Sequence, residues 1–519
     1  MSEHHHFTTI MKTGQNAHLP IDLYTAEQVR QLDSIAINEF RIDGFELMNR
    51  AAQAAFRNIL LRWPNLAEGG GLQVLCGAGN NGGDGYLVAM LAAKQKIPAS
   101  VVALKEPEAL SGDARRAYEA CRDQGVVIEA FSADKDLSAE LVVDAMLGTG
   151  LDREVEGDYR KAIEQVNHSG LPVAAIDIPS GLSADNGAEL GRAVNAELTI
   201  TFIGMKQGLL TGSGPECCGD IVFADLDVPS DIYTRVKPAS QRLDLNNLSG
   251  LMQPRRRNAH KGDSGHALLI GGNHGMPGAI IMAAEAAISC GAGKVSVVTR
   301  KEHLKALAVR RPEVMASSVK SKTALIKRFH DKSVIVIGPG LGKDDWAVDM
   351  LEAALSSDLP VLLDADALNL LPEHPRLRRA RLSPIILTPH PGETARLLGA
   401  DSRFVQQNRV KATHDLCLLY SAVVVHKGAG TLISDGENLS LCSAGNPGMA
   451  VAGMGDVLSG VIGALVAQDV DAYNAARLGV WLHAAGADEL ASQQGELGML
   501  ATELIPFIRR RLNRMVYTQ

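Results

Sequence analysis

The residues with the clearest chemical potential lie at 445–467, GNPGMAVAGMGDVLSGVIGALVA. The pattern indicates a glycine-lined loop that runs into an apolar helix, with Asp456 at the junction. Gly453 and Gly455 let a ligand approach the backbone, and a helix N-terminus favours an anion. A carboxylate beside an anion site suits phosphoryl transfer, because it can take the proton of an attacking hydroxyl. For this segment alone, the alternative is a packed Gly/Ala-rich helix start.

Further turn-forming segments follow apolar stretches in the same half. They are NHGMPGA at 273–279, GPGLG at 338–342, DADALN at 364–369, TPHPGE at 388–393 and KGAGT at 427–431. Pro and Gly after a strand enforce turns that expose backbone amides. KGAGT adds a cation to glycine amides, which indicates a nucleotide-phosphate contact, and His390 is interpreted as a rigidly held contact or as a satisfied buried histidine. Either Asp364 or Asp366 contacts metal-bound water, unless both serve as helix caps.

The first half carries acidic residues where predicted strands end. GAGNNGGDG at 77–85 lacks the Gly-x-Gly-x-x-Gly spacing, but its amides could hold a phosphate. Because the carboxyl ends of parallel strands face one crevice, Asp144, Asp177 and Ser180 should converge there. Asn81, Asp144 and Ser180 offer oxygen ligands for a hard cation, and Asp177 suits acid or base chemistry. The alternative for any one of these aspartates is a loop cap.

Alternating strands and helices must position these residues. The predicted strands are 72–77, 99–104, 141–147, 172–178, 198–203 and 220–226 in the first half, and 266–272, 294–299, 333–338, 360–366, 384–390 and 422–428 in the second. Continuous apolar strands that alternate with helices predict parallel α/β sheets covered on both faces. A capping box at Thr25 and Gln28 begins a helix that breaks near Gly44 and reaches Trp63. A hairpin at 431–443 and helices over 447–467 and about 471–494 complete the prediction.

Length and composition indicate how the chain is divided into domains. At 519 residues, the chain is too long for one ordinary core. The polar stretch 230–262 includes Arg255–Arg257, which we interpret as a solvated face or a domain-contact patch. We predict a flexible tail at 1–20, domains at 21–235 and 251–513, and a linker at 236–250.

Charge and cysteine content exclude several classes of protein. A net charge of −8 argues against a general nucleic-acid binder. The seven cysteines form no CxxC pair, as expected for reduced thiols in a cytosol. No run approaches the roughly 20 apolar residues of a membrane span. We therefore predict a cytoplasmic protein that contacts neither nucleic acid nor membrane.

Three motifs of the first half carry a family resemblance. GNNGGDG, DAMLGTGL and DIPSGL resemble the YjeF N-terminal domain family over about 21–230, and thereby the NAD(P)HX epimerases. The resemblance implies a potassium ion at Asn81, Asp144 and Ser180, and catalysis by Asp177. It also implies substrate contacts by Asn80, Asn81, Gly82, Gly83, Asp84, Gly148, Thr149, Gly150, Leu151, Asp152, Arg153, Glu154 and Asp177.

The second half is similar to another family. The order NHGMPGA, GPGLG, DADALN, TPHPGE, KGAGT and GMGD resembles the ribokinase-like ADP- or ATP-dependent NAD(P)HX dehydratases over 250–513. Met454 departs from the pattern, since this family more often has Thr or Ser there. The resemblance implies a catalytic Asp456 and magnesium that accompanies ADP. It also implies NAD(P)HX contacts by Ala279, Gly340, His390 and Asp456, and nucleotide contacts by Lys427, Gly428, Ala429, Gly430, Thr431 and Gly455.

Together the two halves resemble bacterial bifunctional NAD(P)HX repair enzymes. The expected substrates are NADHX, NADPHX and ADP or ATP, and we expect a homo-oligomer. Two alternatives remain open. The second half could be a sugar or vitamin-precursor kinase, and the first half could be a non-catalytic ligand-binding or oligomerisation module.

Overall fold

The computed structural model describes residues 19–377 and 381–517, and the chain divides into two compact units between Gln241 and Arg242. Of the predicted tail at 1–20, only the last two positions belong to the described residues. The predicted linker at 236–250 contains a three-residue strand and one helical turn. The domain limits given above stay predictions.

A parallel sheet forms the centre of the first unit. The strands within residues 22–242 are β1 Asp22–Leu23, β2 Leu72–Cys76, β3 Ala99–Ala103, β4 Val127–Ala130, β5 Leu141–Ala145, β6 Val173–Ile176, β7 Leu198–Phe202, β8 Asp220–Ala224 and β9 Ser240–Arg242. Strands β2 to β8 make one parallel sheet in the order β4-β3-β2-β5-β6-β7-β8, and β1 pairs with β9 in antiparallel register. Successive residues of β2, Val74 and Leu75, belong to different apolar clusters, so both faces of the sheet are buried.

Helices cover this sheet. They are α1 Ala26–Asn38, α2 Gly44–Arg62, α3 Asn80–Lys94, α4 Gly112–Asp123, α5 Gly157–His168 and α6 Gly214–Cys217. The predicted capping box is confirmed: the Gln28 backbone N–H donates to the Thr25 hydroxyl, and the Thr25 N–H donates to the Gln28 side chain. The predicted break is also confirmed, since α2 begins at Gly44 with Asp43 as its cap.

The second unit repeats the α/β plan with a different strand order. Its strands are β10 His266–Ile270, β11 Lys294–Thr299, β12 Met315–Ser318, β13 Val334–Ile337, β14 Val361–Leu363, β15 Ile385–Leu387, β16 Val423–His426, β17 Thr431–Ser434 and β18 Leu439–Cys442. They follow the order β18-β17-β16-β15-β14-β13-β10-β11-β12. The pairs from β12 to β16 are parallel, and β16, β17 and β18 are antiparallel, which confirms the predicted hairpin.

The helices of the second unit bury both faces of its sheet. They are α7 Leu245–Leu248, α8 Pro277–Ser289, α9 Leu304–Arg310, α10 Lys322–Ile326, α11 Asp345–Leu355, α12 Ala365–Glu373, α13 Pro391–Leu398, α14 Ser402–Gln407, α15 Arg409–Tyr420, α16 Met454–Ala467, α17 Ala472–Gln494 and α18 Ala501–Tyr517. Helices α8 and α16 pack closely at Gly460, where an added Cβ would lie 2.1 Å from the Ala283 carbonyl oxygen. This contact fixes the helix that carries Asp456.

The structure differs from the predictions at one helix start and at two edge strands. The helix predicted over 447–467 begins at Met454, after a loop with a short 3₁₀ turn at Pro447–Met449. Edge strands β4 and β12 were not predicted, because their partly exposed residues lack a continuous apolar run. None of the described helices is long and apolar enough to cross a membrane.

Two candidate active sites

The first site lies where the carboxyl ends of β2, β5, β6 and β7 meet. Strand β2 has β3 on one side and β5 on the other, so the chain order reverses there. Ligands of open α/β sheets bind at such a point. Helix α3 starts directly after β2 and brings Asn81 to this edge, and Asp144 lies in β5.

The three residues predicted to hold a cation do come together. Ser180 donates its hydroxyl to Asp144 Oδ1 at 2.6 Å and its backbone N–H to Oδ2 at 2.7 Å. Leu147 links them to Asn81, since its N–H donates to Ser180 Oγ at 2.8 Å and its carbonyl accepts from Asn81 Nδ2 at 3.1 Å. Asn81 Oδ1 is buried, and no described residue donates to it. An oxygen without a donor beside a buried carboxylate fits a cation.

The Asp144 carboxylate accepts hydrogen bonds from protein groups and has no contact with solvent. Its side chain is fully buried, and burial raises its pKa to about 6, although hydrogen bonds from Ser180 and Met146 oppose the rise. A bound cation would offset that burial cost. The raised pKa of Asp144 is therefore consistent with a cation bound by Asn81, Asp144 and Ser180.

Asp177 occupies a strained position at the end of β6. Its φ is +67°, and the Ile178 N–H donates to the Ile176 carbonyl at 2.8 Å, which closes a three-residue γ-turn. A non-glycine residue in this region costs free energy that the surrounding structure must supply. The carboxylate of Asp177 forms an ion pair with Lys206, a fully buried lysine that the sequence analysis did not single out.

Two more carboxyls lie within electrostatic range of this pair. Burial raises the pKa of Asp33 to about 6, with Asp177 adding to the rise and Lys206 opposing it. Burial raises the pKa of Asp84 well above its usual range, and Asp177 and Asp33 add to it. Such shifts are common where proton transfer takes place.

The other predicted contacts of the first site are split between a helix and a loop. The segment interpreted as a glycine loop is helical from Asn80, so Asn80–Asp84 form the first turn of α3. The N–H groups of Asn80, Asn81 and Gly82 have no acceptor within the helix and stay available to an anion, whereas that of Gly83 donates to the Gly79 carbonyl at 3.1 Å. Residues Gly148–Glu154 form an irregular loop after β5, and Gly148 lies against Asn81, where an added Cβ would come within 3.2 Å of the Asn81 side chain.

The second site centres on the N-terminus of α16. Gly453 is its N-cap, with φ +94°, and no side chain caps the helix. The first-turn amides are therefore available to an anion. Asp456 lies in this first turn, as predicted.

Lys427 and Asp364 complete the charged centre. Lys427 Nζ lies 3.0 Å from Asp364 Oδ1 and 3.9 Å from Glu393 Oε2. An added Cβ on Gly455 would lie 3.3 Å from Lys427 Nζ, so this ammonium adjoins the start of α16. Thr388 and Ser459 donate their hydroxyls to Asp364. This residue stands at the N-cap position of α12, but its side chain makes no capping hydrogen bond and instead anchors Lys427.

Asp456 is tuned for proton transfer near neutral pH. Burial raises its pKa to about 7, Asp364 and Asp366 add to the rise, and Lys427 opposes it. Burial alone would lower the pKa of Lys427, but Asp364, Glu393 and Asp456 raise it overall. A carboxylate base poised at pH 7 next to a permanent cation suits acid–base catalysis.

His390 caps a helix, and half of its side chain is exposed. Its Nδ1 accepts the backbone N–H of Gly392 at 3.0 Å and that of Glu393 at 3.3 Å, at the start of α13. Burial lowers its pKa, and Lys427 lowers it further. Nδ1 is therefore occupied, while Nε2 lies 3.5 Å from a Glu393 oxygen.

Ala279 and Gly340 are neighbours at the carboxyl ends of β10 and β13. Gly340 has φ +56°, and an added Cβ would lie 2.8 Å from the Met276 carbonyl and 3.2 Å from Ala279 Cβ. The loop 338–342 is also tied to Asp366, whose Oδ2 accepts the Gly342 N–H at 2.8 Å. These contacts bring the two predicted segments into one wall of the site.

KGAGT forms the turn between β16 and β17. Buried Arg409 lies beneath it and donates to the carbonyls of His426, Lys427 and Gly430 at 3.3–3.5 Å. The sequence analysis did not include Arg409, because a lone arginine at a helix start resembles a surface residue. Its guanidinium shapes the turn predicted to bind the nucleotide.

Met454 directs its side chain into the core of the second unit. It is 5% exposed and belongs to the cluster that contains Val457 and Leu458. The departure from Thr or Ser therefore replaces a hydroxyl with apolar packing. Its backbone amide stays in the first turn of α16.

A cavity of about 530 Å³ opens at the other end of this sheet. Ser333, Pro360 and Pro384 line it and directly precede β13, β14 and β15. The residues predicted to act in catalysis follow the opposite strand ends. This cavity is therefore separate from the candidate site.

Comparison with known proteins shows that two different family models match separate parts of the chain. A family model described as YjeF-related protein N-terminus matches residues 44–208, and one described as NAD(P)H-hydrate dehydratase matches 267–510. The bifunctional NAD(P)H-hydrate repair enzyme Nnr of Coxiella burnetii is 44% identical over 492 residues, which cover 95% of this chain and 99% of the relative. The enzyme of the same name from Escherichia coli is 40% identical over 496 residues, with 95% of each chain covered.

A solved structure resembles part of the chain. The ADP/ATP-dependent NAD(P)H-hydrate dehydratase from Bacillus subtilis, co-crystallised with ATP/Mg²⁺, is 30% identical, covers 52% of this chain and 98% of its own, and gives a TM-score of 0.48. The full-length relatives, matched over nearly the whole of both chains, identify the family. This chain belongs to the bifunctional NAD(P)H-hydrate repair enzymes.

Proposed function

We propose that this chain repairs nicotinamide cofactors that have gained water at C6 of the ring. The first unit interconverts the R and S epimers of NADHX and NADPHX, and the second dehydrates the S form at the expense of ADP. The observation that carries the proposal is Asp456, with a pKa of about 7, in the first turn of α16 beside Lys427.

Dehydration needs activation, because hydroxide is a poor leaving group. Asp456 accepts the proton of the C6 hydroxyl, whose oxygen attacks the β-phosphorus of ADP and displaces AMP. The amides at 453–456 stabilise the transferring phosphoryl group. The phosphate ester then leaves with the C–O electron pair, the ring nitrogen lone pair compensates, and loss of a C5 proton restores the dihydropyridine.

The remaining residues of the second site bind the two substrates. Ala279, Gly340 and His390 are assigned to the hydrated nicotinamide nucleotide, and Lys427–Thr431 with Gly455 to the adenine nucleotide. Magnesium is proposed to accompany the nucleotide phosphates, which commonly supply most of its non-water ligands. Asp366 is better suited than Asp364 to contact magnesium-bound water, because no described residue donates a hydrogen bond to its Oδ1. Both carboxylate oxygens of Asp364 accept hydrogen bonds from the protein.

Asp177 is assigned the proton-transfer role in epimerisation. The first turn of α3, residues 80–84, and the loop 148–154 are assigned to the hydrated nucleotide. Both flank the carboxyl end of β5, next to the turn that holds Asp177.

A potassium ion is proposed at Asn81, Asp144 and Ser180. The support is the unpartnered, buried Asn81 Oδ1 beside a buried carboxylate. When bound, the ion would supply positive charge near substrate phosphate or hydroxyl oxygens. Epimer exchange measured in potassium, sodium and an organic cation tests this, and equal rates in all three would contradict it.

The kinase alternative predicts a different product. A ribokinase-like small-molecule kinase would release a stable phosphate ester, whereas the repair reaction returns the absorbance of reduced nicotinamide. Incubation with hydrated NADH, with and without ADP or ATP, separates the two. We also propose a homo-oligomer in solution, which light scattering checks directly.

A further inference from the structure

Lys206 is a fully buried cation whose hydrogen bonds all stay within the protein. It follows β7, and its side chain is 1% exposed. Its ammonium donates to Asp177 Oδ1, to Thr201 Oγ1 at 3.0 Å and to the Phe202 carbonyl at 2.9 Å. A lysine ammonium has three donors, so none remains for a ligand. Lys206 therefore acts on the site through Asp177.

The hydrogen bonds that the Asp177 carboxylate accepts from described residues all reach one of its two oxygens, Oδ1. Besides Lys206, the Thr201 hydroxyl and the Phe202 N–H approach Oδ1, at 3.5 and 3.4 Å. Thr201 thus accepts from Lys206 and donates to the same carboxylate oxygen. Within residues 19–377 and 381–517, no donor reaches Oδ2 of Asp177. The carboxylate is held by one oxygen and presents the other.

The backbone fixes both partners on adjacent strands. Ile176 of β6 pairs with Ile200 of β7, and the Asp177 N–H donates to the Ile200 carbonyl at 2.7 Å. A second γ-turn follows β7, where Ile203 has φ +55° and the Gly204 N–H donates to the Phe202 carbonyl at 2.6 Å. Two strained turns side by side indicate that the placement of Asp177 and Lys206 is enforced.

We propose that Lys206 is the positioning residue of the epimerase site, which secures Asp177 through Oδ1 and leaves Oδ2 to exchange a proton with the hydrated nicotinamide nucleotide. The inference rests on the epimerase function proposed above. Asp33 from α1 and Asp84 from α3 also interact electrostatically with Lys206, so its positive charge offsets three carboxyls. Its removal changes both the orientation of Asp177 and the charge balance of the cluster.

The test uses the full chain with each purified epimer. Recovery of NADH from the R form requires both reactions, whereas recovery from the S form requires only the second unit. We expect Lys206→Met to lower kcat for epimer exchange by about 100-fold, the scale of a lost acid–base contribution, with KM changed less than about threefold. The acid limb of the pH profile should move to higher pH, because Lys206 opposes the rise in the pKa of the neighbouring Asp33 and Asp84.

Two further variants separate charge from fold. Lys206→Arg keeps the charge and should return the acid limb to its wild-type position, with kcat between the two. Lys161→Met, on the exposed face of α5 with its side chain 59% exposed, is the matched control and should behave as wild type. Turnover of the S form should be equal in all four proteins.

Three results would overturn the inference. Lys206→Met could exchange epimers at the wild-type kcat, it could lose rate through KM alone, or it could lose rate with a lower melting temperature and an unchanged pH profile. The last result would mean a purely structural lysine. If wild-type protein dehydrates the S form but never exchanges the epimers, the proposed epimerase function is wrong, and the inference about Lys206 is then wrong as well.

Discussion

Replacement of Asp456 by Asn removes one carboxylate proton acceptor and almost no volume. If Asp456 is the base, dehydration by the wild type must follow its ionised fraction. With a pKa of about 7, that fraction is about 10% at pH 6 and about 90% at pH 8. The wild-type rate should therefore rise about ninefold over this interval. Asp456→Asn should lose at least about 100-fold in kcat at pH 8, while ADP binding changes little.

The same substitution has a consequence for stability. The pKa of Asp456 is raised in the folded state, so the stability from its neutral form is present below about pH 4 and lost as pH rises through about 7. A rise from 3.8 to about 7 corresponds to at most about 4 kcal/mol, and relaxation around a partly exposed side chain reduces this to about 1–2 kcal/mol. Asn cannot ionise, so the variant should become more stable than the wild type as pH increases.

The assay follows reduced-nicotinamide absorbance from the S epimer between pH 5.5 and 8.5, with melting temperatures measured at the same pH values. Asp456→Asn should lose the pH-dependent turnover and gain melting temperature relative to wild type above pH 7. A wild-type rate that is flat across this range would refute the assignment of Asp456 as the base. So would an Asn variant that retains turnover.

Three further predictions concern other parts of the chain. Asn81→Ala should raise the potassium concentration needed for half-maximal epimer exchange by about tenfold, because one of its oxygens is lost, and unchanged potassium dependence would contradict the cation site. Lys427→Met should move the acid limb of dehydration above pH 7, since Lys427 opposes the rise in the pKa of Asp456, and a limb at the wild-type position would contradict their coupling. Gly460→Val should destabilise the second unit by about 2–3 kcal/mol in thermal melts, because its Cβ would clash with the Ala283 carbonyl. Gly278→Ala is the control, since an added Cβ there meets open space and should not lower the melting temperature. Equal melting temperatures for the two variants would contradict the close packing of α8 and α16.

Local patterns were sufficient to predict most elements of the fold. Continuous apolar runs identified the strands from β2 to β16 except β4, β9 and β12. Strands β4 and β12 are at the sheet edges, where partly exposed residues need no apolar run. The first turn of α3 was interpreted as a loop because glycine and asparagine weaken helix propensity. Packing against the sheet outweighs that propensity.

The candidate sites were predictable only where a motif is continuous in sequence. Asp456 with its glycines, and Asp144 with Ser180, stand out as residues at strand or helix ends. Lys206 lies 29 residues after Asp177, and Lys427 lies 63 residues after Asp364, so neither ion pair appears in any local pattern. The occupied oxygen of Asp177 depends on a tertiary contact and could not be predicted from residue types.

The most direct test of the two-step account follows NADH recovery from an equal mixture of R and S epimers with ADP. Wild-type protein should convert the entire mixture, Asp177→Ala should stop after the S half, and Asp456→Asn should convert neither. An Asp177→Ala protein that consumes both epimers at the wild-type rate would contradict the assignment of one reaction to each unit. So would an Asp456→Asn protein that still returns NADH.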